Sequence, residues 1–261
     1  MSGSHQTGFA HDLQAFNSVH LHIDADVASG RDGWHDLTMV SCAGVDGCPG
    51  GWVVARRERG RLDVRVVTDL VAVIDLVDHV GIDMPIGLAS APGRSADRDA
   101  RLLLGARRAS VFPAPARPLL ECRSHAEANA LSRSLFDIGM SVQTFHLLPK
   151  IREVDLLARG LDPSERDTRL AEVHPECSFL LASGVPLASK HTGEGIARRR
   201  AVIAQVMGEV PAVPRGARPD DVLDACAVLW SVERFARNEH RTLPDGATER
   251  DGYGTLMRIV V

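Results

Sequence analysis

Aromatic residues are scarce in this chain: one Tyr, three Trp and seven Phe among 261 residues. So sparse a set argues against a long platform on which successive bases of a single strand would stack. No stretch approaches the ~20 consecutive apolar residues of a membrane-spanning helix. The first residues also lack the basic-then-apolar layout of a signal peptide. No CxxC pair occurs, and the five cysteines (Cys42, Cys48, Cys122, Cys177 and Cys226) are odd in number and widely spread. That usage predicts reduced thiols in a cytoplasmic protein. Lysine is nearly missing, since only Lys150 and Lys190 stand among 30 basic residues. A biased base composition accounts for this more simply than a binding role. An excess of positive charge is missing too. The net charge is −4, and residues 1–38, with five Asp and one Arg, account for all of it. Any contact with nucleic acid must therefore be a local basic patch. What remains is ordinary: 44% hydrophobic and 25% charged residues exclude collagen-like, coiled-coil and wholly disordered chains.

Residues 1–38 show no sustained period and hold five of the eleven histidines, at 5, 11, 20, 22 and 35. His20, His22 and Asp24 alternate as ligands on a metal-binding strand would, but no partner ligands follow at a useful spacing. The expectation is a solvated tail, a disordered or non-native extension, with Met39 as the natural start.

From Val40 the pattern sharpens into one domain over 39–261. Val40–Asp46, Trp52–Arg56 and Leu62–Thr68 read as strands joined by the turns GCPGG and Gly60. Asp69 caps a short helix through Val77, and Val80–Met84 is a further strand. The order strand, strand, strand, helix, strand predicts an α/β fold: a mixed sheet of three antiparallel strands followed by a parallel fourth. A helical insertion is expected at about 89–168, with helices near 124–134 and 141–159, the second kinked by Pro149. Leu170–His174 returns as a strand, and Pro175–Leu181, Ile196–Met207 and Asp221–Arg237 as helices. Leu256–Val261 is expected as a terminal edge strand.

Several carboxylates are out of place. Asp fits poorly in strands, yet Asp46 ends one apolar strand and Asp83 lies near the end of another. At such positions a side chain can point into the crevice where open sheets bind ligands. Asp46 before Gly47 also suits a turn-forming Asp that bonds its own backbone. Asp221 and Asp224 share one face of a helix's first turn, where the dipole offsets only ~0.3–1 kcal/mol of their repulsion each. A divalent cation such as Mg²⁺ or Mn²⁺ would offset it better, and two of them would serve hydrolysis of a phosphodiester. Glu172 and His174 alternate on one strand as candidates for a further ligand or a proton shuttle. Glu176 is read only as an acid favoured by a helix dipole.

Five blocks carry a family resemblance: GVDGCPGGWVVA (44–55), GIDMPIGL (81–88), RRASVFPAPAR (107–117), PKIREVD to EVHPECSF (149–179) and DDVLDACAVLW (220–230). Together they resemble a group of predicted nucleases with the RNase H fold, long catalogued as a domain of unknown function. The last block is also similar to the closing helix of Holliday-junction resolvases, where a D-x-x-D-A pattern supplies two metal-binding carboxylates. The resemblance implies an RNase H-like core and a metal-dependent nuclease using a two-metal carboxylate mechanism. It matches Asp46 to a first-strand aspartate, Asp83 to an acidic residue of the fourth strand, and Asp221 with Asp224 to the helical pair. The resolvases often carry Glu where this chain has Asp83.

On the substrate side, seven Arg in 94–123 offer phosphate contacts, with internal Asp–Arg pairs as the equal alternative. Arg108, Ser110, Lys150 and Lys190 are the expected substrate-binding residues, for a nucleic acid of unspecified type. Two other readings stay open. GCPGGW (47–52) resembles the Gly-rich hairpin of sugar kinases and actin-like ATPases, which implies an ATP-binding phosphotransferase. The third reading is a non-catalytic binding protein on the same fold.

Overall fold

The structure, a computed structural model, describes residues 40–246 and 249–261. The expected extension 1–38, its histidines and the Met39 start lie outside the described residues. Alternating apolar residues form β1 (Cys42–Cys48), β2 (Gly51–Glu58) and β3 (Arg61–Val67), an antiparallel meander. A single turn, α1 (Val71–Ile74), leads to β4 (His79–Ile82), which pairs parallel to β1. This helix is shorter than the Asp69–Val77 expectation. Asp69 Oδ1 accepts from Val71 N–H as expected of a cap, but the helix closes at a bend with Asp75.

Between β4 and β5 the chain is helical: α2 (Ser95–Leu104), α3 (His125–Phe136), α4 (Val142–Gly160) and α5 (Pro163–Arg169). Ser124 and Ser141 cap α3 and α4 by accepting backbone N–H bonds from Glu127 and Thr144. Helix α4 runs through Pro149 without interruption. Then come β5 (Leu170–Val173), α6 (Pro175–Ser183), α7 (Gly193–Met207), α8 (Pro219–Ala236), β6 (Thr242–Leu243) and β7 (Ile259–Val260). The seven strands lie in the order β3-β2-β1-β4-β5-β7-β6. The expected terminal edge strand is corrected on two counts. Only Ile259 and Val260 form a strand, apart from an isolated Leu256–Arg250 bridge, and they pair on both sides, because Thr242–Leu243 adds itself outside them.

Helices cover both faces of the sheet. One face packs Ala43, Val45, Val54, Val80, Ile82 and Leu170 against α1, α3 and α4. The other packs Val53, Ala55, Ala171 and Val173 against α6, α7 and above all α8. Val228, Leu229 and Val232 of α8 are fully buried, each worth ~1.5–3 kcal/mol against exposure. Their seat is unusually close. An ideal Cβ on Gly44 would meet the Ala225 carbonyl oxygen at 2.3 Å, so only glycine lets α8 lie this near β1. Val40–Val261 cluster as one compact unit. Among the described residues, no helix is long and apolar enough to cross a membrane.

Candidate functional site

The parallel strands β1, β4 and β5 end together, and strand alternation decides what points where. In β1, Asp46 shares its parity with Gly44, whose missing side chain faces α8. In β4, Gly81 faces Val228 and Val232 of α8, and Asp83, two residues on, falls on the same side. Asp224 lies in the second turn of α8, over these strand ends. Close packing of the helix on two glycines thus carries an aspartate from α8 towards two from the sheet.

Their charges bear on one another. Asp46 is pushed well above the usual carboxylate range, first by burial and then by the negative charges of Asp83 and Asp224. Its Oδ1 accepts the Gly47 N–H at 2.8 Å, as a turn-forming Asp would. Asp83 is pushed up to about 7 by burial, against the pull of Lys190 and a hydrogen bond shared with Asp46. Burial likewise raises Asp224 to about 6, against the same lysine. Lys190, on the loop between α6 and α7, donates to Asp224 Oδ2 at 2.6 Å. Burial alone would lower this ammonium, but Asp224, then Asp46 and Asp83, outweigh it and raise it.

Glu176 is a member the sequence reasoning passed over. It adds negative charge felt by Asp83 and Asp224. The fully buried Arg199 holds its Oε1 at 2.5 Å, and Arg107 lies 3.7 Å from the same oxygen. Its first-turn position on a helix masked it, and the available signal was EVHPE, with a second acid just past a strand end. His174 Nε2 donates to the Ser110 carbonyl at 3.2 Å, and burial holds its ring below the ordinary histidine range. Its Nδ1 is buried and has no hydrogen-bond partner among the described residues. Beside it a cavity of about 20 Å³, room for about one water, is lined by Asp83, Arg94, Glu172 and His174 among others.

Other expected site residues fall elsewhere. Asp221 sits at the rim, where its Oδ2 accepts the Arg218 N–H and so closes the start of α8. Glu172 has the opposite parity to Ala171 and Val173 and points away from α8. Both its oxygens accept from Arg94, at 2.7 and 2.9 Å, and the Ile86 N–H adds a third bond. It is therefore the anchor of a buried ion pair that Asp97 shares through Arg94, and it meets the aspartate set only through the small cavity it lines with Asp83. Lys150 also faces away. Its Nζ donates to the Gly51 carbonyl at 2.5 Å and lies 4.2 Å above the Trp52 ring.

The arginine patch largely dissolves into structure. Arg94 and Arg107 are paired as described, and Arg101 donates to the Val111 carbonyl. Arg117 spans Asp155 and Asp251. Arg108 stays exposed, two residues before the Ser110 carbonyl that His174 touches. In the Gly-rich hairpin, a Cβ on Gly51 would meet the Val67 carbonyl oxygen at 2.1 Å, so close approach of β3 accounts for that glycine without a phosphate.

The donor chemistry fits a hard divalent cation: three carboxylates from neighbouring elements have one ammonium near them, and burial and the charge of neighbouring acids raise all three, a strain that a bound cation would relieve. As folded, though, Asp46 accepts the Gly47 N–H and Asp224 is held by Lys190. Among the described residues, no three His, Cys, Asp or Glu side chains are grouped as a ready-made metal cage.

Fold and site together define an α/β protein with an acidic crevice at the carboxyl ends of its parallel strands. The chain belongs to the family DUF429, described as a protein of unknown function, whose pattern matches residues 44–249. No curated protein matches the chain. No solved structure matches it either.

Proposed function

We propose that this protein is a Mg²⁺- or Mn²⁺-dependent nuclease built on an RNase H-like core. The observation that carries the reading is the convergence of Asp46 of β1, Asp83 just past the end of β4 and Asp224 of α8 on one side of the sheet. The antiparallel meander followed by parallel strands, closed by α8 with its D-x-x-D-A pattern, supports the RNase H-like comparison. Asp46, Asp83 and Asp224 would hold the cation, and Asp221 would join them only by giving up the Arg218 N–H. The bound ion would supply a Lewis acid for a phosphoryl oxygen and lower the pKa of a water.

The chain's own groups do the rest. Arg108, exposed on the turn beside Ser110, would receive a phosphate oxygen of a nucleic acid. Arg199 and Arg107 fix Glu176, so the acidic wall keeps its shape when the aspartates change charge. The neutral His174 ring, with a free Nδ1, can accept a proton beside Asp83. Glu172 drops out of the catalytic set, since Arg94 holds it on the other face.

The test pairs Mn²⁺ titration with cleavage assays on single-stranded, duplex and branched nucleic acids. Metal-dependent cleavage that disappears in Asp46→Asn and Asp224→Asn supports the reading. Native-rate cleavage by both variants would falsify it.

A further inference from the structure

We infer that Lys190 and a divalent cation compete for the same place: the lysine ammonium occupies the acidic crevice until a metal ion displaces it. This rests on the metal-dependent reading above and adds a resident competitor to it. Lys190 reaches Asp224 from the loop 184–192, not from a strand or helix. Its side chain is 33% exposed, whereas that of Asp224 is 3% exposed. The carboxylate is thus fixed in the wall while the ammonium enters from the solvent side.

The loop itself is tied down, because Arg199 donates to the Ala188 carbonyl at 2.7 Å and Thr192 caps α7. The lysine side chain can therefore swing out while the backbone stays. Among the described residues, no other Lys or Arg forms an ion pair with these aspartates, and Arg199 and Arg107 are committed to Glu176. The choice of residue points the same way. In a chain that uses Arg for nearly every basic position, this is one of only two lysines. An ammonium is a compact point charge that several carboxylates can share, as they would share a metal ion, whereas a guanidinium fork binds one carboxylate bidentately. An ammonium brings one charge where a divalent ion brings two, so the ion has the advantage once it arrives. Displacement also frees an ammonium at the mouth of the crevice, where a phosphate oxygen would meet it.

Having only two lysines makes the test direct. The full chain, stripped of metal, is labelled with an amine-reactive reagent with and without saturating Mn²⁺, and each lysine is followed by mass spectrometry. Lys190 labelling is expected to rise several-fold with Mn²⁺ while Lys150 stays constant. In parallel, Mn²⁺ binding is measured by electron paramagnetic resonance for the native chain and for Lys190→Met. The variant is expected to bind at least about tenfold more tightly, equivalent to about 1.4 kcal/mol. Mn²⁺ binding with unchanged Lys190 labelling, or with no gain in the variant, overturns the competition and leaves the metal site standing. If neither protein binds Mn²⁺, the metal-dependent reading itself fails and this inference falls with it. Should Lys190→Met not fold, labelling of the native chain decides alone.

Discussion

Gly44 and Leu229 meet backbone to backbone: an ideal Cβ on the glycine would lie 2.2 Å from the Leu229 nitrogen. Backbone cannot yield as a flexible side chain does. Gly44→Ala must therefore lift α8 from β1, and Asp224 moves with the helix. Stability should fall by about 3 kcal/mol, read from urea denaturation, and Mn²⁺ binding should be lost together with it. A variant as stable as the native chain would show that α8 does not depend on this approach.

The acidic crevice makes stability fall as pH rises. Asp83 at about 7 and Asp224 at about 6 both lie above their ordinary value of 3.8. The folded state therefore keeps protons that the unfolded chain has already released. Their contribution is fully present below the unfolded value and is lost as pH climbs through the folded ones. Glu172, pushed up to about 7 by burial, acts in the same direction. The melting temperature should drop between about pH 4 and pH 7. Asp83→Asn should flatten that slope, and saturating Mn²⁺, which favours the ionised carboxylates, should flatten it too.

The aspartates themselves should respond unequally. Asp46→Asn removes a buried group that resists ionisation, so stability should stay level or rise by up to about 1 kcal/mol while metal binding vanishes. On the metal-dependent reading Asp224→Asn should also abolish metal binding, and it strips Lys190 of its partner. Because that lysine is part-exposed, the cost should be about 1 kcal/mol, measured by thermal unfolding.

Arg94 offers a contrast on the other face of the sheet. Replacing it with Met leaves Glu172 and Asp97 buried without their counter-charge, and about 3–5 kcal/mol should be lost. Adding Glu172→Met should restore part of it. Glu172→Gln alone should leave Mn²⁺ affinity unchanged. A large fall in affinity would return Glu172 to the metal set.

Much of this architecture was legible beforehand. The meander, β4, β5 and α8 follow from alternation and helical spacing, because each buries one whole face and its pattern has no rival. Weak segments were not legible. Two-residue β6 carries too few residues for any period, so β7 looked like an edge. The aspartates stood out because Asp is a poor strand residue, and that anomaly is local. The partners were not visible, since pairing is decided across the fold. Glu172 looked like Asp83, an acid at a strand end, until parity put it beside Arg94. Seven arginines in one segment suggested phosphate, yet each buried carboxylate nearby claimed one first. Lys190 was expected to touch substrate, and its ion pair with Asp224 comes from a loop whose path no periodicity encodes.

Asp46 stands on the first described strand and Asp224 on the last described helix. A polypeptide still emerging from the ribosome therefore exposes the early acids long before the later one exists. On the proposed reading, unfinished or prematurely terminated chains would lack the helical acid and so could not assemble the site. The three acids come together only when synthesis has passed α8 and that helix has docked.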